Sequence, residues 1–203
     1  MQAIINSLPG YQVNEYLLML NPHEELREKI TQVKEEFNKE YKVGEPFMGK
    51  PQLTITRFSQ VAMMEERLVN RLRTVAMGYH PFKVELKDFG SFPSHTIFIN
   101  VTSKVPIQGL VKEVRKEAQR LMKLNEENKP QFFLEPHFTI ARALKNWQYE
   151  KGWLEYSTKH FTGRFIADSM TLLRRPEGEQ RYHFVQRFQF QNLPVATKQG
   201  ELF

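Results

Sequence analysis

The chain contains no cysteine, and its 203 residues include only 10 glycines. The first absence excludes disulfides, thiol catalysis and cysteine-ligated zinc together. No uninterrupted apolar run reaches 18 residues, so no membrane-spanning helix is expected. The N-terminal Met1–Gly10 segment lacks a basic region followed by a long apolar stretch, so it does not read as a secretion signal. No Gly-, Pro- or Ser-rich linker and no low-complexity tract divides the sequence. These absences point to a cytoplasmic protein outside the membrane, with monomer as the default state. What is present is a folding composition: 40% hydrophobic residues, 16 of them Phe. The net charge of +6 favours polyanionic partners through long-range attraction, which is a weak pointer to phosphate-bearing ligands.

A seven-residue phrase occurs twice, 85 positions apart. Residues 51–57 read Pro-Gln-Leu-Thr-Ile-Thr-Arg, and residues 136–142 read Pro-His-Phe-Thr-Ile-Ala-Arg. Internal self-similarity implies a two-fold architecture, with each copy a β-strand. Side chains alternate along a strand. Gln52 and Thr54 therefore share one face, as do His137 and Thr139, while Leu53, Ile55, Phe138 and Ile140 face a core. By the same alternation Arg57 and Arg142 fall opposite the Gln/His and Thr, unless a bulge at the strand end reverses them. If a pseudo-dyad relates the two strands, Gln52, Thr54, His137 and Thr139 converge on one site.

Around these copies the pattern predicts a strand at 15–20, then a helix capped by Asn21 with Pro22 in its first turn. Leu26, Ile30, Val33 and Phe37 form that helix's apolar stripe. A loop over 42–50 leads to the first repeat strand at 51–58, followed by a helix at 60–77. Strands at 82–86 and 95–101 are separated by a turn at 89–93. A helix from 107 to about 125 precedes the second repeat strand, and a further helix capped by Asn146 runs to about 159. Strands at 165–174 and 181–190, joined by a turn at 175–178, close the fold. The expected organisation is one bilobal domain over 1–193 and a mobile tail at 194–203.

A His and a Thr two residues apart on a strand can handle a phosphate, the imidazole moving a proton and the hydroxyl donating to a non-bridging oxygen. Two such units facing one phosphodiester would supply an acid and a base without a metal. Pro136–Arg142 resembles the second signature of the 2H phosphoesterase superfamily, which includes bacterial 2′-5′ RNA ligases and cyclic phosphodiesterases. The resemblance implies an α+β fold, bilobal and pseudo-two-fold, with antiparallel sheets flanked by helices around a central cleft. It also implies hydrolase or ligase chemistry without a cofactor, on RNA or nucleotides with 2′,3′-cyclic or 2′-5′ phosphodiester linkages. His137 is then the catalytic residue, and Gln52, Thr54 and Thr139 bind the phosphate.

The departure is Gln52, which stands where that family has its first His and cannot titrate near neutral pH. Three outcomes stay open. The chain is a binding module that kept the cleft, or it works with His137 as sole acid/base, or another group such as His95 substitutes. Arg57 and Arg142 are accessory candidates for phosphate, and Phe132 and Phe133 for stacking a base. Arg174, Arg175 and Arg181 read as a solvated basic hairpin tip.

Overall fold

The computed structural model describes residues 10–43 and 50–193. The loop expected at 42–50 and the tail expected at 194–203 therefore lie mostly or wholly outside the described residues.

Among the described residues, nine strands form two antiparallel sheets. The first contains β1 (Val13–Leu20), β2 (Leu53–Val61), β5 (Gln131–Phe132), β8 (Ser169–Pro176) and β9 (His183–Gln189), in the order β5-β2-β1-β8-β9. The second contains β3 (Phe82–Phe92), β4 (Thr96–Val101), β6 (His137–Ala141) and β7 (Thr162–Ala167), in the order β6-β4-β3-β7. Among the described residues, two helices cover each sheet. Helices α2 (Glu65–Gly78) and α3 (Lys104–Met122) pack on each other and against β9 and β2, while α1 (Glu24–Tyr41) and α4 (Asn146–Tyr156) pack against β6, β7 and β4. Helix α1 follows a strand of the first sheet yet covers the second, and α3 does the reverse. Each lobe is thus completed by a helix delivered from the other side.

The apolar stripes explain the helices. Leu26, Ile30 and Phe37 of α1, Leu68, Leu72 and Val75 of α2, and Ile107, Leu110, Val111, Val114 and Ala118 of α3 are all buried. Helical spacing forces these side chains to one face, and the sheets receive them.

Several local expectations shift, each for a visible reason. Asn21 does not cap α1; its Nδ2 donates to Thr171 Oγ1 at 3.2 Å, and His23 occupies the cap position without a side-chain bond. Asn146 is the first residue of α4 rather than its cap. The entry is fixed by Gln148, whose Oε1 accepts from the Lys145 amide at 2.9 Å and whose Nε2 donates to the Tyr41 carbonyl at 2.8 Å. Strand β3 continues through the expected turn at 89–93, because Phe89–Phe92 pair with Thr96–Ile99, and the reversal falls on Pro93–His95. Strand β2 runs to Val61, displacing the start of α2 beyond a short 3₁₀ turn at Ala62–Met64. The strand expected at 165–174 breaks at Asp168, where the chain passes from the second sheet to the first. Arg174 and Arg175 are not free tips, since they pair with Glu65 and Glu15 at 3.1 and 2.9 Å.

Close packing of α4 depends on Gly152. A Cβ there would meet Phe37 Cζ at 2.7 Å and Cε2 at 2.8 Å, with Ile97 Cδ1 at 3.3 Å. Gly152→Ala is expected to destabilise the protein by about 1–3 kcal/mol through overpacking, although helix propensity alone would favour Ala by up to about 1 kcal/mol. Denaturant unfolding of the variant measures the balance, and an unchanged or raised midpoint would show that Phe37 moves aside freely.

Candidate functional site

The two repeat strands meet at one cavity of about 350 Å³. Gln52 and Thr54 line it from the start of β2, and His137 and Thr139 line it from β6. All four are half-buried, while Leu53, Ile55, Phe138 and Ile140 point into the core. Arg57 and Arg142 line the same cavity. Strict alternation had placed them on the opposite face, and a bulge in each strand restores them. Leu18 pairs with Thr56 and Met19 with Thr54, which leaves Ile55 as an extra residue in β2. Ile97 pairs with Ala141 and Phe98 with Thr139, which leaves Ile140 extra in β6. An extra residue inverts the alternation downstream of it. Thr56 and Ala141 are consequently buried, and each arginine returns to the face of its threonine.

His137 is held by its neighbours. Its Nδ1 lies 2.8 Å from the Glu135 carbonyl, which can only accept, so Nδ1 carries a proton and Nε2 is left to act. Phe92 meets the imidazole edge-on at 5.1 Å between ring centroids, and Phe98 lies against it at 4.8 Å. Burial pushes the His137 pKa below the ordinary histidine value, and Lys104 adds to that; the Glu135 carbonyl and carboxylate pull the other way without prevailing. The imidazole is therefore neutral at pH 7, with Nε2 available as a proton acceptor.

The strap from β5 to β6 spans the two sheets. The Phe133 amide donates to the Ile55 carbonyl at 3.0 Å, fastening one end to β2. Gln108 Nε2 donates to the Leu134 carbonyl at 2.9 Å, and Lys104 pairs with Glu135 at 2.7 Å. Phe133 and Glu135 thereby line the cavity, whereas Phe132 does not and instead lies 5.7 Å beneath the Arg115 guanidinium. Behind the opposite wall, Glu15 stands 3.7 Å from Arg57. Burial raises the Glu15 carboxyl pKa, but hydrogen bonds from Tyr182 and Arg175 and the charges of Arg175 and Arg57 outweigh that and hold it below the usual carboxylate range.

His95 is not part of this arrangement. It is exposed in the β3–β4 turn with Nδ1 2.6 Å from Thr96 Oγ1, and only Thr96 lines the cavity. The sequence reading also passed over Lys34 of α1, whose side chain enters the cavity wall and is only 7% exposed. Burial, with the charge of Arg142 adding to it, lowers the Lys34 pKa to about 8. The available signal was a lysine one turn after Ile30, on the helix's apolar face. Among the described residues, no group of three or more His, Cys, Asp or Glu is placed to hold a metal ion, and no helix is long and apolar enough to cross a membrane.

The family model for the 2′-5′ RNA ligase superfamily matches residues 22–179. The fold is similar to that of E. coli LigT in its complex with 3′-AMP, with a TM-score of 0.58 and 17% identity over 88% of this chain and 98% of that one. LigT complexed with ATP gives a TM-score of 0.56 and 17% identity, covering 88% and 99%. TT0787 of Thermus thermophilus gives 0.60 and 14%, covering 87% and 98%. No curated protein matches the chain in sequence.

Burial and the neighbouring charge of Arg142 disfavour the Lys34 ammonium in the folded protein. Lys34→Met should therefore raise the thermal midpoint at pH 7 by a few degrees. The gap should close as pH climbs from about 8 toward the ordinary lysine value of 10.5, because the native protein sheds the Lys34 proton there while its unfolded chain keeps it. Thermal unfolding of both proteins across that range checks the sign. A midpoint lowered at pH 7 would mean that the ammonium stabilises the fold.

Proposed function

The chain belongs to the 2′-5′ RNA ligase superfamily, and we propose that its cleft binds RNA ends or nucleotides carrying a 2′,3′-cyclic or 2′-5′ phosphodiester and acts on them with a single histidine. The observation that carries this reading is the convergence of Gln52, Thr54, His137 and Thr139 on one cavity from two matching strands. The threonine hydroxyls and the Gln52 amide donate to the non-bridging oxygens. Arg57 and Arg142, brought round by the bulges, offset the phosphate charge from either side. Phe133 offers a ring for the adjoining base.

For a 2′,3′-cyclic phosphate, His137 Nε2 takes a proton from the attacking water as the new P–O bond forms. The ring P–O bond to one ribose oxygen breaks, and that oxygen needs a proton. Gln52 cannot provide one, because a carboxamide does not titrate near neutral pH. The proton must come from solvent or back from the His137 imidazolium, and the absent partner costs on the order of a hundredfold to ten-thousandfold in rate. The same residue supports a second reading, in which the protein is a non-catalytic nucleotide or RNA-binding module on this scaffold. A neutral amide holds a phosphate as well as a neutral imidazole does, and only proton transfer is lost.

Incubation with a 2′,3′-cyclic nucleotide and with a 2′-5′-linked dinucleotide separates the two. Slow turnover abolished by His137→Ala supports the single-histidine enzyme, and Gln52→His should then raise the rate by about a hundredfold or more. The wild-type rate should fall as pH drops through a value below 6.5, since burial lowers the His137 pKa and the base works only when neutral. Binding without turnover supports the module. Turnover that survives His137→Ala would remove His137 from the chemistry.

A further inference from the structure

Three adjacent strands of the first sheet carry a row of charged side chains: Arg57 on β2, Glu15 on β1 and Arg175 on β8. Glu15 pairs in register with Ser59 on one side and with Arg175 on the other. Arg57, two residues before Ser59, is therefore its diagonal neighbour on the same sheet face. Glu15 Oε2 accepts from Arg175 Nη2 at 2.9 Å, while Oε1 accepts from the Tyr182 hydroxyl and lies 3.7 Å from Arg57 Nε. The Arg175 guanidinium sits 4.9 Å from the centroid of the Tyr182 ring. Burial and the Glu15 carboxylate push the Tyr182 phenol up to about 12, so its hydroxyl stays protonated and donates. Glu15 is thus held by β8 and by the residue that precedes β9, and it does not line the cavity.

Arg57 does line the cavity, with its side chain 41% exposed, yet its Nε is buried and has no hydrogen-bond partner among the described residues. A buried donor left without a partner is costly. Glu15 Oε1 stands just beyond hydrogen-bond length from it, and a guanidinium shift of less than about 1 Å closes a bond of ordinary length. We propose that Glu15 is a positioning residue for this site: it takes the Nε edge of Arg57 and so leaves the Nη1–Nη2 edge for the phosphodiester in the cleft. This deepens the proposed function and rests on that reading of the cavity.

A guanidinium is a planar fork, and a phosphate takes two parallel bonds from one of its edges. With Nε–H unsatisfied, the fork can turn more than one edge to an anion. A carboxylate fixed from two other directions removes that freedom before the ligand arrives, so binding has less ordering left to supply. The competing role for Glu15 is charge screening. A carboxylate beside Arg57 also offsets the cation and repels a phosphate, which would make it a hindrance to binding. Positioning and screening predict opposite signs when the carboxylate is neutralised.

Calorimetric titration of the full chain with a 2′,3′-cyclic nucleotide, run as a double-mutant cycle, tests the assignment. Glu15→Gln should weaken binding by about tenfold. Glu15→Asp keeps the charge but withdraws the oxygens by one methylene, and it should weaken binding severalfold. In an Arg57→Met background, Glu15→Gln should change affinity by less than about twofold, because the side chain it acts through is gone. Thermal unfolding confirms that each variant is folded, and Glu15→Asp takes the place of Glu15→Gln in the cycle should the latter not fold. Unchanged or tighter binding by Glu15→Gln overturns the inference in favour of screening. An equal loss with and without Arg57 overturns it in favour of general support of the sheet. Wild-type affinity in Glu15→Asp overturns it as well, since charge without contact would then suffice, and so does wild-type affinity in Arg57→Met, which would remove Arg57 from the ligand. All four results leave the cleft reading standing. Failure of the wild-type protein to bind the nucleotide overturns the cleft reading and this inference together.

Discussion

One surplus residue in each of two strands decides what faces the cleft. Without Ile55 and Ile140 in their bulges, the strands would present Thr56 and Ala141 to the cavity and turn Arg57 and Arg142 away. The bulges sit at the same position of the repeated phrase, so the two walls match in backbone as well as in sequence. A hydroxyl and a guanidinium are thereby brought to the same face three residues apart, a spacing that an unbroken strand cannot provide. The core pays nothing for this arrangement, since Ile55, Thr56, Ile140 and Ala141 are all buried beneath it.

The site is asymmetric in charge and in proton chemistry, though not in backbone. At position 137 the imidazole is gripped between two phenylalanines and a carbonyl; the carbonyl fixes its tautomer, and burial keeps it neutral. At position 52 an amide of similar reach offers donors and an acceptor with no titration. Burial acts in the same direction on His137 and Lys34, lowering the proton affinity of both. Near neutral pH the cleft thus holds a neutral imidazole, while the buried amine, with its pKa near 8, still carries most of its charge. Hydrogen-bonding capacity is spread over both walls, and the two lining groups whose proton affinity burial lowers belong to β6 and the helix that covers it.

Much of this was legible in the sequence because the repeat carries its own register. The phrase located Gln52, Thr54, His137 and Thr139, and the alternation of polar and apolar residues separated cleft face from core face. Legibility ended where a long-range bond overrode a local preference. Asn21 has the chemistry of a cap, but Thr171, 150 residues away, takes its side chain. Phe89–Phe92 have turn-forming neighbours, but pairing with β4 extends the strand through them. Lys34 was hidden for a different reason. A helical stripe is read from its apolar members, and a lysine among them is counted as a flank until the opposing surface is known.

The order of strands in the two sheets has a mechanical corollary. The chain passes from one sheet to the other repeatedly, and each sheet is roofed by a helix that enters from its neighbour. No single scission yields two pieces that each own a complete, covered sheet. A nicked molecule would hold together through the partner fragment, and unfolding of one lobe strips the other of its roof. The halves are joined by several crossings rather than by one hinge, so any widening of the mouth between them would have to bend strands and the short strap over it.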